Sequence, residues 1–123
     1  MDIVLSPSSE KPIYLQIYEQ IAGQILRGEL SSGTKLPPIR TVALNMRISV
    51  IPVKQAWEQL EREGFITTAA GRGTAFAQLA DREISIMRNN AAERMLMRDV
   101  EACRALGLSY TETAAIVRKV YGE

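Results

Sequence analysis

The residue types that carry most enzyme chemistry are scarce here. The chain has no histidine and a single cysteine, Cys103, among 123 residues. Histidine acid–base catalysis, serine triads and the usual zinc sites are therefore excluded. No catalytic constellation of carboxylates or of Ser/Lys stands out, so neither an enzyme nor a bound metal or cofactor is expected. What remains is cationic chemistry. The net charge of +1 is unevenly spread. Residues 35–78 hold six bases (Lys35, Arg40, Arg47, Lys54, Arg62, Arg72) against Glu58, Glu61 and Glu63, an excess of +3. The first 34 residues carry −2, and residues 79–123 balance at seven of each sign. A cationic middle is a modest footprint for an anionic partner, although an ordinary solvated surface can carry as much.

These bases need elements to hold them. Hydrophobic residues make up 46% and charged residues 24% of the chain, which fits one folded domain or a small domain with an appendage. No run of eighteen apolar residues occurs, and MDIVLSPSSEK lacks a basic stretch followed by an apolar core. Neither a membrane span nor a secretory signal is expected. The lone cysteine fits a reducing cytoplasm.

Residues 1–11, with Pro7, Ser8 and Ser9, read as a loose or extended arm. Ile13, Ile17, Ile21 and Ile25 then recur every fourth position, predicting a helix from Pro12 that Gly28 stops. After the polar connection GELSSGTKLPP, a short helix fits Pro38 to about Met46. A tight turn over Asn45–Ser49 leads to a third helix, with Ser49 as its cap and Val53, Ala56, Trp57 and Leu60 as its inward stripe. Gly64 ends it. Phe65–Thr68 and Thr74–Ala77, around the glycine-rich tip Ala70–Gly73, predict a β-hairpin. A long helix from Asp81 to about Leu106 and a last short one, capped by Ser109 or Thr111, complete the chain. Tyr14, Tyr18, Trp57 and Cys103 read as core residues. The expected fold is mainly α with a small β-hairpin: an arm (1–11), a winged helix-turn-helix (12–78) and a two-helix tail (79–123).

At residues 36–77 the string LPPIRTVALNMRISVIPVKQAWEQLEREGFITTAAGRGTAFA resembles the DNA-binding domain of the GntR family of bacterial transcription regulators. The carriers are Leu36-Pro37, Arg40, Ser49, Leu60-Glu61-Arg62-Glu63-Gly64 and Gly71-Arg72-Gly73-Thr74, in that order. Residues 12–30 resemble the family's first helix. The short tail with LGLSYTETAAIV is similar to the small YtrA-type subfamily, whose tail chiefly serves dimerisation, rather than to branches with a large metabolite-binding domain.

The resemblance implies double-stranded DNA as partner, with Arg40, Ser49, Val50, Lys54, Gln55 and the tip Gly71-Arg72-Gly73-Thr74 facing it. Arg40 would reach a phosphate or a base edge, Ser49 a phosphate, and Arg72 the minor groove, where its flanking glycines permit close approach. Four departures stand out. Val50 replaces a common arginine, Ile51-Pro52 a commonly polar pair, Pro38 a capping serine, and Arg47 a turn glycine. Loss of the charged contact at Val50 lowers the expected affinity and shifts the expected base contact from guanine hydrogen bonding toward thymine methyls.

One winged helix offers little DNA-facing area, so a homodimer on a palindromic operator is expected, with Met87, Met95, Leu96 and Val100 in its interface. The function expected is a cytoplasmic DNA-binding repressor. An effector, if the regulator answers to one, would occupy an interdomain or dimer cleft. The apolar Val50-Ile51-Pro52 edge keeps one alternative open, a winged-helix adaptor that binds protein and never DNA.

Overall fold

The computed structural model describes residues 1–71 and 73–123. Its elements are α1 (Ile13–Leu26), α2 (Ile39–Met46), α3 (Val50–Arg62), β1 (Ile66–Ala69), β2 (Gly73–Phe76), α4 (Asp81–Ala105) and α5 (Tyr110–Tyr121). They form two units, Met1–Asp81 and Arg82–Glu123.

In the first unit α1 packs chiefly on α3. The four-residue isoleucine period has one exception at its start. Ile17, Ile21 and Ile25 are buried, while Ile13, in the first turn, is exposed. Against them stand Val53, Ala56, Trp57 and Leu60 of α3, also buried. Tyr18 meets Phe65 edge-on, ring centres 6.3 Å apart and planes at 70°. Val42 and Ala43 close the α2 side. Tyr14, expected in the core, is half-buried.

The hairpin lies one residue later at its start and one earlier at its return than the pattern indicated. Phe65 precedes β1 and is a core side chain, with its carbonyl accepting from Ala77 N at 3.0 Å. Ile66 pairs with Phe76, and Ala69 with Gly73, in antiparallel register. The far edge of β2 is paired as well. Leu36 N donates to Thr74 O at 2.8 Å and Phe76 N to Thr34 O at 2.9 Å, so part of the connection read as a polar loop joins β2 through an isolated antiparallel bridge at Lys35–Ala75. Leu36, anchored this way, is buried.

The arm is not loose. Residues 2–6 run along α1, held by the side-chain amides of Gln16, Gln20 and Gln24. Gln16 is itself buried, a polar residue the hydrophobic pattern could not place.

In the second unit α4 and α5 are joined by a turn around Gly107, whose φ is +89°. Ser109 caps α5 in a reciprocal box with Glu112, and Thr111 plays no capping part.

Candidate nucleic-acid interface

The turn between α2 and α3 rests on a strained residue. Arg47 has φ 58°, the one non-glycine positive φ among the described residues. It closes α2 in the left-handed region, with Arg47 N donating to Leu44 O at 3.1 Å and Ile48 N to Ala43 O at 3.0 Å. A β-carbon in this region costs roughly 1–2 kcal/mol relative to glycine. The backbone bonds impose the conformation anyway, and the arginine side chain is left exposed beside α3.

Helix α3 divides cleanly. Its inward stripe is buried, Ile51, Lys54 and Gln55 are exposed away from it, and Val50 is exposed at its edge, two turns before Trp57. Arg40, in the first turn of α2, is exposed too. Among the described residues neither Arg40 nor Lys54 makes an ion pair, so both cations are available to an anion. That disfavours the plain alternative in which Arg40 serves a carboxylate on the neighbouring helix.

Ser49 stands at the cap position, but its side chain caps nothing. A capping hydroxyl accepts from the second or third helical amide. The third residue is Pro52, which has no amide hydrogen, and the second is not taken. The expected capping role is therefore corrected: the position is right and the hydroxyl is exposed. The same proline removes one of the unpaired donors at the helix start.

The wing tip is built by Gly71 (φ +73°) and Gly73 (φ +76°), both in a region that L side chains rarely adopt and both with open space around the α-carbon. Arg72, expected to enter the minor groove, lies outside the described residues. Thr74 is half-buried, its hydroxyl 3.2 Å from that of Thr68, which in turn donates to Glu61 Oε2 at 3.0 Å. Thr74 thus ties the wing to the end of α3, which leaves it a poorer candidate for contacting a ligand than its place in the motif implied.

One exposed residue had not been singled out for this surface, Leu44, while Ile51 had been noted as an apolar departure from the family pattern. Leu44 on α2 is 77% exposed, and Ile51 is 71% exposed. Each lies off the inward stripe of its helix, and that was the available signal.

In the second unit no residue of α4 or α5 is buried. Met95, Leu96 and Val100 are exposed and Met87 is half-buried. Cys103, expected to be buried, is also half-buried. Leu96, Val100, Leu108, Tyr110 and Val117 line an apolar groove of about 540 Å³ between the two helices. No helix of the described residues is long and apolar enough to cross a membrane.

The profile of the gntR family of bacterial regulatory proteins matches residues 13–76, spanning α1, the helix-turn-helix and the hairpin. The chain is 33% identical over 104 residues to the transcriptional regulator YhcF of Bacillus subtilis, covering 85% of each chain. It is 40% identical over 78 residues to the transcriptional repressor YtrA of the same organism, covering 63% of this chain and 60% of that one. Among solved structures, YtrA of Sulfolobus acidocaldarius superposes with a TM-score of 0.62 at 31% identity, over 80% of this chain and 97% of that one. The AraR DNA-binding domain, solved in complex with operator ORX1, superposes with a TM-score of 0.52 at 26% identity, over 61% of this chain and 93% of that one. With the family profile spanning more than half its length, the chain belongs to the gntR family of bacterial regulators, in its small YtrA-type branch.

Proposed function

We propose that this DNA-binding transcriptional regulator works as a homodimeric repressor in the cytoplasm. Each protomer sets α3 in the major groove of one half of a palindromic operator, with the wing on the adjacent backbone. Arg40, Lys54 and Ser49 supply contacts to phosphate or base edges, and Gly71 and Gly73 let the tip approach closely. The observation that carries the reading is the exposed surface of α3, where Val50, Ile51, Lys54 and Gln55 stand with no side-chain hydrogen bond or ion pair among the described residues. The operator complex of AraR supports it by analogy of fold.

The dimer reading rests on the tail. Ile86, Met95, Leu96, Met97, Val100 and Val117 are each at least 40% exposed on α4 and α5, more apolar surface than a two-helix unit leaves in water without a partner. A second copy laid against α4 would cover Leu96 and Val100, and Met87 with them. The remaining groove, or a cleft made by dimerisation, is where a small apolar effector would act.

The test is a salt series of binding to the DNA upstream of the chain's own coding sequence, compared with a scrambled duplex. Preference for the first, weakened by Arg40→Ala, is expected. Equal affinity for both at every salt concentration refutes sequence-specific regulation and favours a protein-binding adaptor. Light scattering of the chain ended after Ala77 tests the tail: a monomer is expected, and an unchanged dimer refutes the interface.

A further inference from the structure

We propose that Val50, Ile51 and Gln55 make the leading turns of α3 a reader of T·A pairs, with the two aliphatic side chains on thymine 5-methyl groups and the carboxamide on adenine. The inference rests on the DNA-binding reading and names the base class that reading leaves open.

Side-chain chemistry limits what this surface can recognise. Val50, Ile51 and Pro52 are consecutive and contain no side-chain donor or acceptor, so the first turn of α3 cannot hydrogen-bond guanine. Yet Val50 is 42% and Ile51 71% exposed: Ile51 lies opposite the stripe of Val53, Ala56 and Trp57, and Val50, seven residues before Trp57, stands at its solvent edge. On the major-groove edge of B-DNA the apolar feature is the C5-methyl of thymine. The N-terminal residues of a recognition helix are the ones that reach base edges. Gln55 follows Ile51 by four positions and is exposed on the same face. Glutamine is the side chain whose amide matches adenine N6 and N7, the partner of thymine in the same pair.

Charge decides between DNA and an apolar protein as occupant. The exposed cations Arg40, Arg47 and Lys54 flank the aliphatic pair on α2, the turn and α3, whereas the acids of α3 lie further along it, at Glu58 and Glu61. An aliphatic patch in a cationic frame fits methyl groups displayed between phosphates better than it fits an apolar protein surface.

The experiment begins with the duplex that the full chain enriches from a randomised pool. That duplex is then remade with deoxyuridine for thymine, one position at a time, which removes the methyl and keeps every hydrogen-bonding group. We expect T·A pairs at the centre of each half-site, and a loss of about fourfold in affinity per contacted methyl, the value of one buried methyl group. The Val50→Ala/Ile51→Ala variant, altered at exposed positions and checked by its melting curve, should bind both duplexes equally. Arg40→Ala should weaken both and preserve their ratio. If deoxyuridine costs nothing at any position, or if the double variant keeps the same sensitivity, the inference falls while the DNA-binding reading stands. If no duplex is enriched, both fall.

Discussion

Gln20 holds Val4 by both atoms of its amide. Nε2 donates to the Val4 carbonyl at 2.7 Å, and Oε1 accepts from the Val4 amide at 2.8 Å. Gln24 donates to Asp2 O at 2.5 Å, and Gln16 repeats the two-way grip on Ser6 at 2.8 and 3.2 Å while donating also to Lys11 O at 2.9 Å. The spacing explains the ladder. Four residues of helix rise about 6 Å, and two residues of extended chain span about 6.6 Å, so glutamines at every fourth position meet alternate residues of an antiparallel arm. Each side-chain amide stands in for a neighbouring strand.

Breaking the ladder should free the arm without unfolding the unit. Gln20→Ala removes two hydrogen bonds at the surface, each contributing about 0.5–1.5 kcal/mol at most. Gln16→Ala removes three in a buried setting and should cost more. Amide hydrogen exchange reads the effect: protection at Val4 and Ser6 should collapse in the Gln16 variant, while that of Val53 and Leu60 persists. Unchanged protection at Val4 in Gln20→Ala would show that the ladder does not order the arm.

How far the sequence carried the fold depends on the kind of interaction. Ile17, Ile21 and Ile25 on α1, and Val53, Ala56, Trp57 and Leu60 on α3, were legible because burial imposes a helical period. The glutamine ladder was not, since polar residues that bind main chain leave no such period. The Thr34–Leu36 bridge to β2 was hidden for the same reason: a bridge made by backbone bonds needs no alternating side-chain pattern. At the site, the positions of Arg40, Lys54 and the wing glycines followed from the family pattern. The idle hydroxyl of Ser49 did not, because it results from Pro52 lacking an amide hydrogen at the one place where a cap would use it. Cys103 is less buried than its apolar helical face indicated, because that pattern marks a side of the helix without saying how much of it is covered.

Arg47→Gly should raise stability and lower DNA affinity together. Glycine relieves the left-handed strain, and the greater entropy of the unfolded chain offsets part of that gain, leaving about 0.5–1 kcal/mol. A melting temperature higher by about 3–5 °C is expected. The lost guanidinium removes a cation from the exposed side of the turn. A variant that melts lower would mean that Arg47 makes stabilising contacts outweighing its strain.

Arg40 and Lys54 should behave as phosphate contacts or as base contacts, and salt separates the two. For each phosphate interaction lost, the slope of log affinity against log salt should fall in magnitude by about 0.9. Arg40→Ala and Lys54→Ala are each expected to show that change with little effect on which duplex is preferred. Gln55→Ala should leave the slope intact and relax the base preference instead. Identical slopes in wild type and both cation variants would remove Arg40 and Lys54 from the interface.

The start of α5 should loosen in acid. Glu112 is held below the usual carboxylate range, first by the Ser109 amide, which donates to its Oε1 at 3.0 Å, and second by the Ser109 side chain. Ser109 Oγ in return accepts from the Glu112 amide at 3.2 Å. A carboxylate with a depressed folded-state pKa adds stability above its unfolded pKa and loses it as pH falls through the folded one. The box is therefore intact at neutral pH and weakens below about pH 4.5, the ordinary glutamate range. The Glu112→Gln variant keeps an oxygen that can accept from Ser109 but has no proton to gain. Nuclear magnetic resonance of the Ser109 amide between pH 6 and pH 3 should show a titrating shift in the wild type and a flat line in the variant. Matching curves for the two proteins would mean that the carboxylate charge does not hold this helix end, and that the hydroxyl of Ser109 caps α5 alone.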